Sequence, residues 1–184
     1  FIAILKDNDL EVHLGYCNTE SLIYSVAMPD SITMGSYENL RSFKIHRFQN
    51  SDNGGRSPNP RIYSSKLLQW VEYTYIQAMR SKMPDNYLDF FDKTKYINTM
   101  FELEGVTESY KWHFMKKEPY KHYFEVFYGQ AKSLSDNQNE RKEQVRNMIY
   151  AAIDNFKKIK PLVLLDENSD DSHLPTWINV LNSY

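Results

Sequence analysis

The strongest candidate for chemistry is an apolar run that ends in two acids, Pro161-Leu162-Val163-Leu164-Leu165-Asp166-Glu167. Consecutive apolar residues followed at once by carboxylates are typical of a buried strand that reaches the surface at its C-terminal end. Open α/β sheets bind their ligands at that end of their strands. The pattern therefore predicts a strand at 161–165 that presents Asp166 and Glu167 to a site. A core strand whose polar end is merely solvated would give the same pattern.

Hydrophobic periodicity predicts the elements next to this strand. Apolar residues from Val145 to Phe156 follow the 3–4 spacing of an amphipathic helix over 139–159, and lysines crowd the end of that helix. A short helix is expected from Leu174 to Leu181. Residues 131–184 are therefore predicted to form a helix, a strand and a helix.

The first two thirds of the chain predict β structure on either side of a helical segment. Residues 1–62 are expected to be mainly β, with strands at 1–5 and 21–28 and a hairpin around Asp7-Asn8-Asp9. Helical spacing predicts two helices within 63–100, the first capped by Ser64 and the second running over about 85–100.

Residues 101–130 are expected to form an aromatic β hairpin, because aromatic residues there alternate with Lys and His. The predicted fold class is α+β. It has N-terminal antiparallel strands, two helices, the aromatic hairpin and the helix–strand–helix end on one mixed sheet. The 184 residues suit a single domain or a lobe of a larger protein. Phe1 in place of an initiating Met favours processing or a fragment.

Composition limits the function classes. The formal net charge of −2 argues against a general polyanion binder, and Cys17 is the single cysteine, which excludes an internal disulfide and a cysteine-based zinc site. A reducing, cytoplasmic setting is therefore expected. No apolar run approaches the roughly 20 residues that a membrane helix needs, so no membrane partner is expected.

Two segments combine cations with features that suit DNA or RNA. The basic segment 41–66 contains Gly54-Gly55, and an aromatic segment with interleaved lysines follows later in the chain. An exposed connecting loop and a hairpin with one buried face are the simpler interpretations of the two. The candidate nucleic-acid contacts in these segments are Arg47, Arg56, Arg61, Lys111, Trp112 and Lys117.

Residues 133–181 resemble the second half of an ABC-type ATPase head of the SMC, RecF and OLD-like kind. Leu134-Ser135-Asp136-Asn137-Gln138 stands where the signature motif would begin a helix, and Leu162 to Glu167 stands as Walker B. Ser172-His173-Leu174-Pro175-Thr176-Trp177 is similar to the Leu-His-Pro-x-Trp run that follows Walker B in OLD-like ATPases. Asp136-Asn137 replaces the two signature glycines, and the chain has no Walker A motif.

The resemblance implies a nucleotide-driven switch linked to DNA transactions or phage defence, with ATP and Mg²⁺ as cofactors. Asp166 would bind the Mg²⁺ and Glu167 would be the catalytic base. Ser135 and Gln138 would contact a nucleotide held by a partner head, so two heads would form a homodimer. ATP hydrolysis would require a Walker A motif outside this chain.

Two other function classes stay open. The first is a non-catalytic α+β module that binds nucleic acid or protein through the basic and aromatic segments. The second is a metal-dependent nuclease, suggested by the acids of 166–171. Pro29-Asp30 and Glu140-Arg141-Lys142 resemble the nuclease pattern PD…ExK, although the second element lies at a predicted helix start rather than on a strand.

Overall fold

The computed structural model describes residues 1–35, 60–101 and 117–184, without the side chains of residues 98 and 99. The chain divides into two compact units, Phe1–Pro58 and Asn59–Tyr184. The fold is α+β, as predicted. Its described elements are α1 (Ile2–Lys6), β1 (His13–Cys17), α2 (Ser21–Ser25), β2 (Ser31–Met34), β3 (Arg61–Ser64), β4 (Gln69–Glu72), α3 (Tyr73–Lys82), a 3-10 helix (Tyr87–Phe90), α4 (Lys95–Phe101), α5 (Lys117–Ser133), α6 (Gln138–Ile159) and α7 (His173–Ser183).

The first unit differs from the predicted antiparallel hairpin. Strands β1 and β2 are parallel, and α2 lies between them in the chain. Parallel strands cannot be joined by a tight turn, so the segment 21–28 serves as a connection and the strand predicted there is wrong. The strand predicted at 1–5 is also wrong, because those residues begin α1. The Asp30 carboxylate accepts hydrogen bonds from Lys6 Nζ at 2.6 Å and from the Val12 amide at 2.7 Å, which connects α1 to the residues that precede β1 and β2.

An antiparallel hairpin, β3–β4, lies at the centre of the second unit. Its register pairs Arg61 with Glu72 and Ser64 with Gln69. The helix predicted from Ser64 is therefore wrong in its first half, and α3 begins only at Tyr73. Leu67 and Leu68 lie in the hairpin turn and are fully buried. Apolar residues therefore continue through the turn, and their spacing in the sequence resembles that of an amphipathic helix.

The predicted helix over 85–100 is divided into the 3-10 helix and α4. Phe91 and Ile97 are buried, as expected, whereas Leu88 is exposed. The hydroxyl of Thr94 accepts a hydrogen bond from the Ile97 amide at 3.2 Å and so caps the start of α4.

The predicted aromatic hairpin is wrong where the structure describes it, because residues 117–133 form the single helix α5. Its buried residues recur at 3–4 spacing, as the inner face of a helix requires. They are Pro119, His122, Tyr123, Val126 and Phe127. Pro119 lies in the first turn, where a missing amide hydrogen costs no helical bond.

The predicted helix over 139–159 is confirmed as α6. Asn137 caps it, since its side-chain oxygen accepts from the amides of Asn139 and Glu140 at 3.0 and 3.1 Å. The predicted final helix is present as α7.

The strand predicted at 161–165 is wrong, because these residues follow α6 as a turn and irregular chain. Val163 is buried, but Leu164 is 92% exposed. The strands of residues 1–35, 60–101 and 117–184 form two separate pairs rather than one mixed sheet. Within those same ranges no helix combines the length and the apolar character that crossing a bilayer demands.

Candidate functional site

The predicted acid pair lies in a turn rather than at the end of a strand. The Ser169 amide donates to the Asp166 carbonyl at 3.0 Å, and Glu167 is exposed. Oδ1 of Asp166 is buried and accepts no hydrogen bond. Burial raises the pKa of Tyr75, and the neighbouring Asp166 carboxylate raises that pKa further. Asp166 therefore faces the side of α3.

The acids that follow attach this segment to the rest of the unit. Lys160 Nζ lies 2.5 Å from Asp171 Oδ1, and Gln69 Nε2 donates to the Asp170 carbonyl at 2.9 Å. The acidic cluster is thus held against the end of α6 and the start of β4. Across the described parts of the chain, no group of three or more His, Cys, Asp or Glu side chains is placed to hold a metal ion.

Ser135 and Gln138, predicted to bind a cofactor, make contacts within the second unit. The Ser135 hydroxyl donates to Glu140 Oε2 at 2.7 Å, and Gln138 Nε2 donates to the Tyr184 hydroxyl at 2.8 Å. Both residues lie at the N-terminal end of α6, whose 22 residues span about 33 Å at the usual helical rise. The ion pair of Lys160 holds the acidic segment near the other end.

Of the predicted nucleic-acid contacts, Arg47, Arg56, Lys111 and Trp112 lie outside the described residues. Arg61 is on β3, where its Nη2 atom lies 3.9 Å from Oε2 of its cross-strand neighbour Glu72. Its side chain is only 28% exposed. Lys117 is exposed and is the first residue of α5.

The outer face of α5 carries a line of lysines and aromatic rings that we call the α5 stripe. Its members recur at 3–4 spacing, so they lie along one side of the helix. They are Lys117, Lys121, Phe124, Tyr128 and Lys132, and all five are exposed. Of the two aromatic residues, Tyr128 is the more exposed, at 64% against 37% for Phe124.

Aromatic packing on the inner face of α5 fixes the direction of the stripe. The ring centroid of Tyr123 lies 5.2 Å from that of Tyr63 and 4.6 Å from that of Trp70. Phe127 lies 5.9 Å from Tyr63. These contacts bury one side of the helix against β3–β4, and the stripe residues on its outer side are exposed.

Lysine ammonium groups lie near aromatic faces along and beside the stripe. Lys132 Nζ is 6.0 Å from the Tyr128 ring centroid, and Lys121 Nζ is 5.5 Å from that of Tyr96 on α4. Lys121 also lies 3.5 Å from Glu118, so its charge is partly compensated. The surface therefore combines positive charge with exposed π faces.

A cavity of about 390 Å³ that is broadly open to solvent adjoins the stripe. Three of its lining residues directly follow stripe residues on α5, namely Glu125, Gly129 and Ser133. The opposite wall comes from the β3–β4 turn and the loop before α4, including Ser65 and Asp92. Asp92 accepts hydrogen bonds from both the amide and the hydroxyl of Ser65, which fixes that wall.

A buried hydrogen-bond network includes two residues of the cavity lining, Thr94 and Gln130. His122 Nε2 lies 2.9 Å from the Tyr63 carbonyl, which can only accept, so this nitrogen donates. Burial lowers the pKa of His122, which keeps the ring neutral and leaves Nδ1 to accept from the Thr94 hydroxyl at 2.8 Å. The Tyr63 hydroxyl donates to Gln130 Oε1 at 2.7 Å.

Sequence reasoning identified Lys117 and the lysines interleaved with aromatic residues in this segment, but it missed their alignment along one helix face, because it treated residues 120–128 as a strand. The 3–4 spacing of the buried residues in this segment was the signal that could have found the helix. The cavity has no local sequence signal, since its walls come from segments far apart in the chain.

Comparison of the chain with protein-family models, with curated proteins and with solved structures finds no match.

Proposed function

We propose that this chain is a non-catalytic module that binds single-stranded nucleic acid along the α5 stripe. The observation that carries the proposal is the alignment of Phe124 and Tyr128 between lysines on one exposed helix face. Sequence-independent proteins of this class combine cations that follow the backbone with aromatic side chains on which bases stack.

The dimensions of the stripe suit a short strand. From Lys117 to Lys132 the helix rises about 22 Å. The two aromatic rings lie near the middle, and lysines lie at both ends. Bases would stack on Tyr128 and Phe124, while Lys117 and Lys132 would neutralise the phosphates on either side.

An unpaired strand fits this surface better than a duplex does. Stacking on a side chain requires a base that has left its own stack, and unpaired bases are free to do so. The net charge of −2 is compatible with such binding, because the Debye length of about 8 Å at physiological salt makes the local charge decisive. Three lysines of the stripe and Lys95 on α4 provide that local charge.

The ATPase-head hypothesis lacks the element on which it depended. It required residues 161–165 to be a strand that ends in Asp166 and Glu167, and these residues are not a strand. ATP hydrolysis, Mg²⁺ binding by Asp166 and a homodimer of heads stay predictions, and no contact among the described residues favours them. The nuclease hypothesis is in the same position, since Glu140 and Lys142 lie in the first turns of α6.

Salt dependence of binding tests the proposal. The fluorescence anisotropy of a labelled single-stranded DNA of about 12 nucleotides should rise with protein concentration. If about four phosphates are neutralised, a plot of the logarithm of the association constant against the logarithm of the salt concentration should have a slope of about −3.

Double lysine variants test whether the lysines of the α5 stripe cause the salt dependence of binding. The double variant Lys121→Ala/Lys132→Ala should make the slope less steep by about 1.4 units, at about 0.7 for each lost phosphate contact. The matched control Lys157→Ala/Lys158→Ala, on the exposed side of α6, should leave it unchanged. Absence of binding, or an equal change in both double variants, would remove the stripe as the binding surface. If the chain does not bind the DNA, a protein partner would become the leading alternative.

A further inference from the structure

We propose that the cavity beside the α5 stripe receives one base of the bound strand and selects bases that carry an exocyclic amino group. This inference rests on the proposed function, because the stripe must first bind the strand. Three of the five cavity residues on α5 follow a stripe residue, among them Glu125 after Phe124 and Gly129 after Tyr128. A base next to one stacked on Tyr128 would therefore lie at the cavity mouth.

The size of the cavity suits this role. Its volume of about 390 Å³ falls within the range of small-molecule sites in proteins, which begins at about 300 Å³. A Cβ atom placed on Gly129 would meet no other atom within 4 Å, so the wall leaves open space at this point. A flat ring can approach the helix backbone there.

The polar groups of the wall favour ligands that donate hydrogen bonds. Glu125 is exposed, and its carboxylate forms no hydrogen bond or ion pair with a described residue. Asp92 already accepts two hydrogen bonds from Ser65, but a carboxylate has about four acceptor positions. Both groups can accept from the amino group of cytosine, adenine or guanine.

A second polar feature sets the orientation of the base. The Tyr63 hydroxyl occupies Oε1 of Gln130, so the amide nitrogen of Gln130 is left as the donor on this wall. Lys93 is a further donor on the lining. Cytosine and adenine present an amino donor beside a ring-nitrogen acceptor, which matches carboxylates beside an amide. Thymine has no amino group, and its one ring N–H lies between two carbonyl oxygens, which a carboxylate accepting from that N–H would repel.

Binding of homopolymers measures the selection. Oligo-dC and oligo-dA should bind the full chain more tightly than oligo-dT of equal length at the same salt concentration, by roughly 5- to 100-fold. Glu125→Gln should reduce this preference, because the neutral amide keeps the size of the side chain but loses the charged acceptor. Equal affinities for all three polymers would overturn the inference.

A variant that fills the cavity tests the contribution of the cavity to binding separately from that of the stripe. Gly129→Phe should abolish the difference in affinity between oligo-dC and oligo-dT. Gly129→Ala is the matched control, since it adds one methyl group into open space and should keep the preference. A preference that survives Gly129→Phe, in a protein whose thermal unfolding matches that of Gly129→Ala, would overturn the inference.

The two proposals fail in different ways. If the wild-type chain binds every homopolymer equally, and binding still depends on the stripe lysines, the cavity is not a base site and the proposed function stands. If no polymer binds, both proposals are wrong.

Discussion

His122 Nε2 donates a 2.9 Å hydrogen bond to the main-chain carbonyl of Tyr63, and both residues are fully buried. The bond joins the inner face of α5 to β3. Since Nδ1 of the same ring accepts from Thr94, which caps α4, one imidazole connects three elements. The direction of the α5 stripe therefore depends on a neutral histidine.

We expect stability to fall as the pH decreases through the range in which histidine titrates. The pKa of His122 is lowered from its ordinary value of 6.5 by burial, against the opposing effects of the Tyr63 carbonyl, Asp92 and Glu125. The unfolded chain then binds a proton at a higher pH than the folded chain does. The stabilising contribution is fully present above about pH 6.5 and is lost as the pH falls towards the folded-state pKa.

Urea unfolding at about pH 7.5 and about pH 5.5 measures this effect. The wild-type chain should lose more unfolding free energy between the two conditions than His122→Gln does, because glutamine cannot be protonated. His173 contributes in the same direction, since burial also lowers its pKa, so His122→Gln should keep part of the pH dependence. An identical pH dependence in the wild type and His122→Gln would show that His122 does not titrate in this way.

The segment after α6 offers a test of the corrected fold at 161–165. Leu164 is 92% exposed, so Leu164→Asp should change the unfolding free energy by less than about 0.5 kcal/mol. Val163 is buried, and Val163→Ala should cost about 1–3 kcal/mol through lost apolar contacts and a small cavity. If Leu164→Asp were the more damaging of the two, Leu164 would be buried, which would contradict the exposed position described for it.

The sequence predicts α6 well, because all of its local signals agree. Asn137 precedes the apolar stripe as a cap, the stripe keeps helical spacing to Phe156, and lysines follow at the end. The strand predicted at 161–165 shows the limit of this reasoning. A run of apolar residues indicates burial only where the fold provides a partner, and here the chain buries Val163 but leaves Leu164 in solvent.

The β3–β4 hairpin could not be recognised from its turn. Turns are usually marked by Gly, Asn, Asp or Pro, whereas this one buries Leu67 and Leu68. Leu68 adopts a φ of 51°, in the left-handed region that favours glycine. The Leu68 carbonyl is 3.1 Å from His173 Nε2, and such contacts from distant elements hold the turn in place of a local signal.

Helix α5 and its stripe could not be predicted from the sequence because of the same aromatic residues that define the candidate site. Phe124 and Tyr128 lie on the solvent side, so aromatic residues occur all around this part of the helix and its apolar period is obscured. Tyr and Trp side chains are enriched at interfaces, so aromatic rings that lie together on one exposed helix face are consistent with a binding role.

The affinity of a single-stranded DNA for Tyr128→Ala, compared with the wild type, tests the central claim most directly. Loss of one stacking ring should weaken binding by roughly 5- to 150-fold. Tyr150→Ala is the matched control, because Tyr150 is a similarly exposed tyrosine on α6, and it should bind as the wild type does. Equal affinity of Tyr128→Ala and the wild type, or equal weakening by both tyrosine variants, would contradict binding at the α5 stripe.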